Sequence, residues 1–455
     1  MDTTQLITQS LRQLNFGKQS AGIMQAALIA VDPRAAVLKH LIRDGEFLKA
    51  DGFVYNLDDF SRVILVGAGK AGQPMAEAVY QVLGDKLETG IVVVKGGYKS
   101  QSELPGKVQV HEAGHPIPDA EGVAAALKII RLLEQTDEND LVISLISGGG
   151  SALMTSPVEG ISLEDLQNLT QVLLDSGANI NEINTLRKHL DRIKGGQLAR
   201  YAYPSKMINL ILSDVVGDPL DVIASGPSVP DGSTFAEALA ILEKYQIKHR
   251  IPTTVLEYLQ LGADGLRPET PKFGEAIFSG VINIIVGSNR TASQAAFNQA
   301  IKDGFNTLVL SNFLQGEARQ AGKFLAAILK QVALYDQPIS RPACIIAGGE
   351  TTVIIQGEGL GGRNQELVLS AVTDLQGLTR VAMISLATDG GDGPSDAAGA
   401  VVTGETYQRA LSLGLLPESF LKRNDAYNFF EPLGDLIKTG PTQTNVNDLI
   451  FLFAY

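Results

Sequence analysis

The chain lacks several features that would have narrowed its chemistry at once. Cys344 is its only cysteine, so no internal disulfide can form and a reducing compartment is the default. It has no long basic run, and 37 Lys and Arg stand against 50 Asp and Glu, a net charge of −13. That balance argues against a nucleic-acid surface while leaving room for a small basic pocket. No apolar stretch reaches the roughly 20 residues of a membrane-spanning helix. The segment Met1–Gln19 is polar and mixed, without the apolar centre of a signal peptide. The expectation is a soluble, cytoplasmic protein with no membrane partner. G-x-x-x-x-G-K-[ST], G-x-S-x-G and C-x-x-C are all absent, which removes the P-loop, serine-hydrolase and cysteine-zinc readings.

What the chain does have is length, apolar residues and glycine. Its 455 residues suggest two or three domains, at about 100–200 residues each. Hydrophobic residues make up 45%, enough for large cores. The 47 glycines exceed the usual share of about 7%, and they cluster in loops. Thr4–Ala50 reads as helices. Short β runs then alternate with helical segments, at Val63–Val66, Gly90–Val94, Leu141–Ile146, Met207–Leu212 and Val281–Val286. Further runs are Thr307–Leu310, Ala343–Ala347, Thr352–Ile355, Val381–Leu386 and Asp448–Ala454. Many lack alternation, as strands covered on both faces do, and strands alternating with helices predict parallel α/β sheets. The turn-rich stretch Pro227–Thr234 leads into a polar helical one. Domains are therefore expected over 1–235 and 281–455, joined by a helical connecting segment over 236–280. Residues 1–50 are helical and free to pack on the other domain.

Most of the β runs end in loops rich in glycine or aspartate, where open α/β sheets bind ligands. Gly67-Ala-Gly-Lys-Ala-Gly72 has the G-x-G-x-x-G spacing of a dinucleotide site. The next strand, however, ends in Lys95 rather than the ribose-binding acid, which counts against NAD and leaves NADP open. Lys70, inside the turn, could instead neutralise a phosphoryl group. Ser147-Gly-Gly-Gly-Ser151 can bring backbone amides close to an oxyanion, with Gly148, Gly149 and Gly150 admitting it and both serines offering hydroxyls. Arg187, Asp191 and Lys194 fall at helical spacing on one face, the pattern of a solvated charged face or of an anion site. Asp214 and Asp218 follow a buried-type strand and could hold a divalent cation or accept a hydroxyl proton. Arg363 emerges from a glycine loop with a fork suited to a carboxylate or phosphate, and Glu350 could serve metal or sugar hydroxyls. The loop Thr388-Asp-Gly-Gly-Asp-Gly-Pro-Ser-Asp396 carries the oxygen ligands that Mg²⁺ or Ca²⁺ prefers.

Together these segments resemble the glycerate 2-kinase family, with its N-terminal glycerate-kinase domain and C-terminal MOFRL domain. The matching motifs are Val66-Gly-Ala-Gly-Lys-Ala-Gly72, Gly114-His-Pro-Ile-Pro-Asp119, Ser147-Gly-Gly-Gly-Ser-Ala152 and Asn184-Thr-Leu-Arg-Lys-His189. Ser213-Asp-Val-Val-Gly-Asp218, Gly361-Gly-Arg-Asn-Gln-Glu366 and Thr388-Asp-Gly-Gly-Asp-Gly-Pro394 complete the set. The resemblance implies two three-layer α/β/α domains with parallel or mixed sheets and an active-site cleft between them. It implies ATP-dependent phosphorylation of D-glycerate at its 2-hydroxyl, with Mg²⁺, and leaves homo-oligomerisation open. Lys70 and Arg363 match the family's catalytic or substrate-binding pair. Asp214 is assigned to the 2-hydroxyl or, with Asp389, to Mg²⁺. Gly67, Gly69, Ser147, Gly148, Gly149, Gly150, Ser151, Arg187, Glu350 and Asn364 are assigned to substrate and nucleotide. An NAD(P)-dependent hydroxypyruvate reductase is the alternative that the glycine spacing keeps open.

Overall fold

The computed structural model describes residues 3–99, 104 and 107–455. The chain folds into two compact units that do not follow its linear order. One is Pro33–Val286; the other combines Met1–Asp32 with Gly287–Tyr455.

The unit Pro33–Val286 opens with three antiparallel strands, β1 (Leu41–Asp44), β2 (Phe47–Ala50) and β3 (Phe53–Asn56). Leu41–Ala50, expected to be helical, is therefore strand. The reason is local: Gly45-Glu46 and Asp51-Gly52 are the two-residue turns of successive hairpins, and Gly45, Asp51 and Gly52 take positive φ, at 60°, 46° and 90°.

Six further strands form the main sheet of this unit: β4 (Arg62–Ala68), β5 (Leu87–Lys95), β6 (Val108–Ala113), β7 (Asp140–Ile146), β8 (Lys206–Leu212) and β9 (Val281–Gly287). Their order is β6-β5-β4-β7-β8-β9. The β4–β5, β5–β6, β4–β7 and β7–β8 pairs are parallel. Numbered from β4, this is the 3-2-1-4-5-6 order of a doubly wound sheet, whose direction reverses between its first and fourth strands. Every residue of β7 is buried, as the non-alternating apolar pattern predicts. The helices Phe235–Lys244 and Thr253–Ala263 bury Phe235, Leu242, Val255 and Leu259 in one core with Leu166, Leu169 and Leu173. Residues 236–280 are thus part of this unit rather than a connector.

The second unit carries a mixed sheet of β10 (Asn306–Glu317), β11 (Ala343–Thr352), β12 (Val381–Ala387), β13 (Gly399–Thr403), β14 (Leu436–Ile437) and β15 (Asp448–Ala454). The order is β10-β11-β15-β12-β13-β14. The β10–β11 pair is parallel, and the pairs from β11 to β14 are antiparallel. The expected strand at Thr352–Ile355 does not continue beyond Thr352, and Ile354 and Ile355 are 62% and 79% exposed. Cys344 is buried in β11, and burial pushes its thiol pKa up. The parallel and mixed sheets agree with the α/β architecture expected from the strand–helix alternation. Among the described residues no single helix is long and apolar enough to cross a membrane.

The first 32 residues belong to this second unit through specific contacts. Ser10 donates its amide and hydroxyl to the buried Asp435 carboxylate at 2.8 and 2.7 Å. Arg409 Nη1 reaches the same carboxylate at 2.8 Å. Phe16 stacks on Tyr455, with ring centroids 5.4 Å apart. Removing one partner of such a group leaves a buried charge uncompensated, at about 3–5 kcal/mol. Asp435→Ala should therefore lower unfolding stability by an amount of that order, read as a fall in the urea midpoint of the intact chain.

Candidate active site

In the doubly wound unit two glycine loops meet at the switch point between β4 and β7. The loop after β4 reaches the helix Gly72–Leu83, and the loop after β7 reaches the short helix Gly150–Leu153. They touch because the first has no side chains where it meets the second. A Cβ on Gly67 would lie 2.6 Å from the Leu145 carbonyl oxygen, and one on Gly69 2.0 Å from Ser147 Oγ. Ser147 Oγ accepts from the Ala71 amide at 3.1 Å. The amides of Gly69, Lys70 and Gly72 donate to the carbonyls of Val93, Gly148 and Gly69. The first loop's backbone donors are therefore already engaged, and a serine sits where a pyrophosphate would have to enter. The glycines of the G-x-G-x-x-G motif serve the packing of one loop on another.

The second loop is different. Among the described residues the Gly148 and Gly149 amides have no hydrogen-bond acceptor. Gly149 adopts a left-handed φ of 85°, so the two N–H groups form the kind of concavity that takes an anion. The Lys70 ammonium has no ion-pair partner among the described residues. Gly150 packs on the Ala68 carbonyl and on Ala224, where a Cβ would meet both at 3.2 Å. Ser151 Oγ lies 2.8 Å from Ser225 Oγ, which donates to Asn184 Oδ1 at 2.9 Å. Ala224, Ser225 and Gly226 all have positive φ. For the two non-glycine residues this costs on the order of 1–2 kcal/mol each, strain of a kind concentrated at functional sites.

Arg187 lies in the helix Ile180–His189, which ends before Asp191 and Lys194. The three do cluster, but they are not a solvated face. Lys194 Nζ bonds Asp191 Oδ2 at 2.6 Å with both side chains buried, and Lys188 Nζ lies 3.2 Å from the buried Asp231. Arg187 is half-buried with no hydrogen-bonding partner among the described residues. Burial pulls its guanidinium pKa down, with Asp191 opposing. Its positive charge is thus desolvated and hydrogen-bonded to no carboxylate among the described residues. His189 is structural: its ring nitrogens face the Thr185 carbonyl at 2.7 Å and Glu269 at 3.0 Å. Asp214 follows β8 at the same sheet edge as the two glycine loops and is half-buried.

In the mixed-sheet unit the focus is Asp448, at the start of β15. Its backbone pairs with Gly349 of β11 on one side and Ala387 of β12 on the other. It accepts from Arg363 Nε at 2.6 Å and Nη2 at 3.1 Å, and Glu350 lies 2.8 Å from Nη1. Each nitrogen of the fork thus has a carboxylate partner, and its outer edge keeps one N–H on each terminal nitrogen. Burial disfavours the charged guanidinium, but the Asp448 and Glu350 carboxylates outweigh it and raise the pKa. Burial pushes Asp448 up to about 6, with the Arg363 bond offsetting part of the rise. Glu350 also accepts from Asn447 at 3.0 Å.

The aspartate loop departs from its expected role. Asp392 is buried and accepts from the Asn364 and Gln365 amides at 3.1 and 2.9 Å, capping the helix Arg363–Ser370 from outside. Asn364 is buried too, its side chain joined to Asp392 and Ser385, a geometry that supports positioning of its helix rather than contact with substrate. Asp389 accepts from the Gly391 amide at 3.1 Å in a local turn. Among the described residues no group of three or more His, Cys, Asp or Glu side chains could hold a metal ion. Site residues that motif reading left unassigned are His115, Ser225 and Asp448. His115 stood within a quoted motif; Asp448 read as the first residue of an apolar strand, with no local signal of its role.

Residues 19–260 match a domain of unknown function, DUF4147, and residues 343–448 match the MOFRL family. D-glycerate 2-kinase of Thermotoga maritima is 47% identical, over 87% of this chain and 90% of that one. A putative hydroxypyruvate reductase of Agrobacterium vitis is 40% identical, over 94% of this chain and 92% of that one. The crystal structure of glycerate kinase from Thermotoga maritima superposes with a TM-score of 0.86 at 43% identity, covering 96% of this chain and 99% of that one.

The Asp448 carboxyl yields a pH signature. Its pKa is higher in the folded chain, about 6, than the ordinary 3.8, so the folded state binds this proton more tightly. The associated stability is fully present below the unfolded value and is lost as pH rises through about 6. Urea midpoints of the intact chain and of Asp448→Asn should thus diverge between about pH 4 and 6, with the intact chain losing ground as pH rises. Parallel pH profiles would rule the assignment out.

Proposed function

The chain belongs to the glycerate 2-kinase family, and we propose that it transfers the γ-phosphoryl group of ATP to the 2-hydroxyl of D-glycerate. The hydroxyl oxygen bonds to the γ-phosphorus, the bond to the β–γ bridging oxygen breaks, and the hydroxyl proton is released. The products are 2-phosphoglycerate and ADP. The observation that carries the reading is the asymmetry of the two glycine loops: the first has its amides engaged and Ser147 lodged against it, and the second leaves Gly148 and Gly149 available beside Lys70.

Phosphoryl transfer asks a protein for positioning and charge neutralisation more than for covalent chemistry. Lys70 and the Gly148–Gly149 amides are assigned to nucleotide phosphate, with Gly67, Gly69, Gly150, Ser147 and Ser151 shaping the loops that present them. Arg187 supplies a further desolvated positive charge. Arg363 is held by Asp448 and Glu350 so that its outer edge can clamp the glycerate carboxylate or the moving phosphoryl. Asp214 orients the 2-hydroxyl. The donor set fits a magnesium ion that arrives on the nucleotide, because Mg²⁺ is usually bound by one or two carboxylates plus substrate phosphates. Asp214 is the carboxylate proposed for it. Its contribution when bound is to neutralise charge on the phosphate oxygens. The lone cysteine supports residence in the reducing cytoplasm.

A reductase built on this chain would need the first glycine loop to receive the pyrophosphate of NAD(P). The engaged amides of Gly69, Lys70, Ala71 and Gly72 weigh against that. The two readings separate in one pair of assays: glycerate-dependent ADP formation with Mg-ATP, and NAD(P)H oxidation with hydroxypyruvate. The first should be active and the second silent; the reverse result refutes the kinase. Lys70→Ala and Arg363→Ala should each lower kcat by about 10²–10³, the loss seen on removing one preorganised donor, with unchanged far-UV circular dichroism. Near-normal turnover in either variant would withdraw that residue's role.

A further inference from the structure

We propose that His115 is a phosphate-contacting residue of this site, its unpartnered imidazole donating Nε2–H to an oxygen of the anion held at Gly148 and Gly149 and taking up a proton as that anion binds. The inference rests on the reading of this loop as a nucleotide-phosphate site and adds a residue and a proton linkage to it.

Three observations converge on the ring. It packs directly on the loop: a Cβ at Gly149 would lie 2.8 Å from His115 Cδ2 and 3.0 Å from Nε2. The missing side chain is what lets the Nε2 edge approach the two available amides. The ring is half-buried, yet among the described residues neither nitrogen has a hydrogen-bond partner. His189 shows the contrast, with both of its ring nitrogens engaged. Finally, the charged groups acting on His115 are cations from two directions, Lys70 in the loop after β4 and Lys95 at the end of β5.

Those surroundings fix the sign of the linkage. Burial first, then the fields of Lys70 and Lys95, hold the ring at about 4, so it is neutral near neutrality and does not add to the repulsion between the lysines. An arriving phosphate cancels part of that field and offers Nε2–H an oxygen, both of which favour the protonated ring. By reciprocity the anion binds more tightly as pH falls towards the pKa of the occupied state.

The test is a histidine NMR titration of the full chain labelled with ¹³C-histidine, with the His115 signal identified by its loss in His115→Gln. Without ligand the signal should remain that of neutral imidazole at pH 6, and with saturating ADP its midpoint should rise by about one pH unit or more. Lys70→Ala should raise the midpoint of the ligand-free chain. His115→Gln should weaken ADP affinity about tenfold at pH 5, where the occupied ring is partly charged, and less at pH 8. A midpoint unmoved by ADP whose binding calorimetry records, or unaltered ADP affinity in His115→Gln at both pH values, overturns the proposal. ADP readout keeps this test separate from the kinase assignment. A chain that shifts His115 with ADP but never phosphorylates glycerate retains this inference and loses that function.

Discussion

The constraint on which the doubly wound unit depends is the close contact of two loops made possible by missing side chains. Gly67 and Gly69 let Leu145 and Ser147 approach to distances that any Cβ would forbid. Buried backbone N–H groups must find partners, and Ser147 Oγ together with three carbonyls satisfies four in succession. That leaves Lys70 held by its own backbone, with its ammonium available, and displaces the unsatisfied donors to the neighbouring loop. A motif known for binding a cofactor is here a clamp that presents a different pair of amides.

The mixed-sheet unit solves a related problem with buried acids. Asp448 sits where the ends of β11 and β12 flank the start of β15, and Asp392 caps the helix that begins with Arg363. Neither needs a metal to be satisfied. One fixes the direction of a guanidinium fork; the other fixes the helix from which that fork projects. A buried carboxylate is costly, and both positions couple that cost to the orientation of Arg363.

Much of this was legible in the chain. Non-alternating runs such as Leu141–Ile146 identified the covered strands, and the glycine loops marked the strand ends where the site lies. The expectations that failed did so for identifiable reasons. The glycine-containing turns at residues 45–46 and 51–52 are local signals that the helical reading of the first fifty residues passed over. Asp392 and Asp389 were grouped by spacing, yet one faces a helix terminus and the other its own turn, a distinction only the fold makes. Arg187, Asp191 and Lys194 were placed together by a periodicity that stops at His189; a turn, not a helix, completes the cluster. Asp448 was invisible because its partner lies 85 residues earlier in the chain.

The non-collinear partition has a consequence for biosynthesis. Ser10 finds Asp435 across 425 residues, so the leading segment emerges from the ribosome long before its binding surface exists. Pro33–Val286 has its strands and its cores within one uninterrupted stretch and can collapse during translation. The opening helices must meanwhile wait, with Leu11, Phe16 and Met24 still uncovered, until the last strand is released. For that interval the apolar side chains of these helices are the surface that a chaperone would meet.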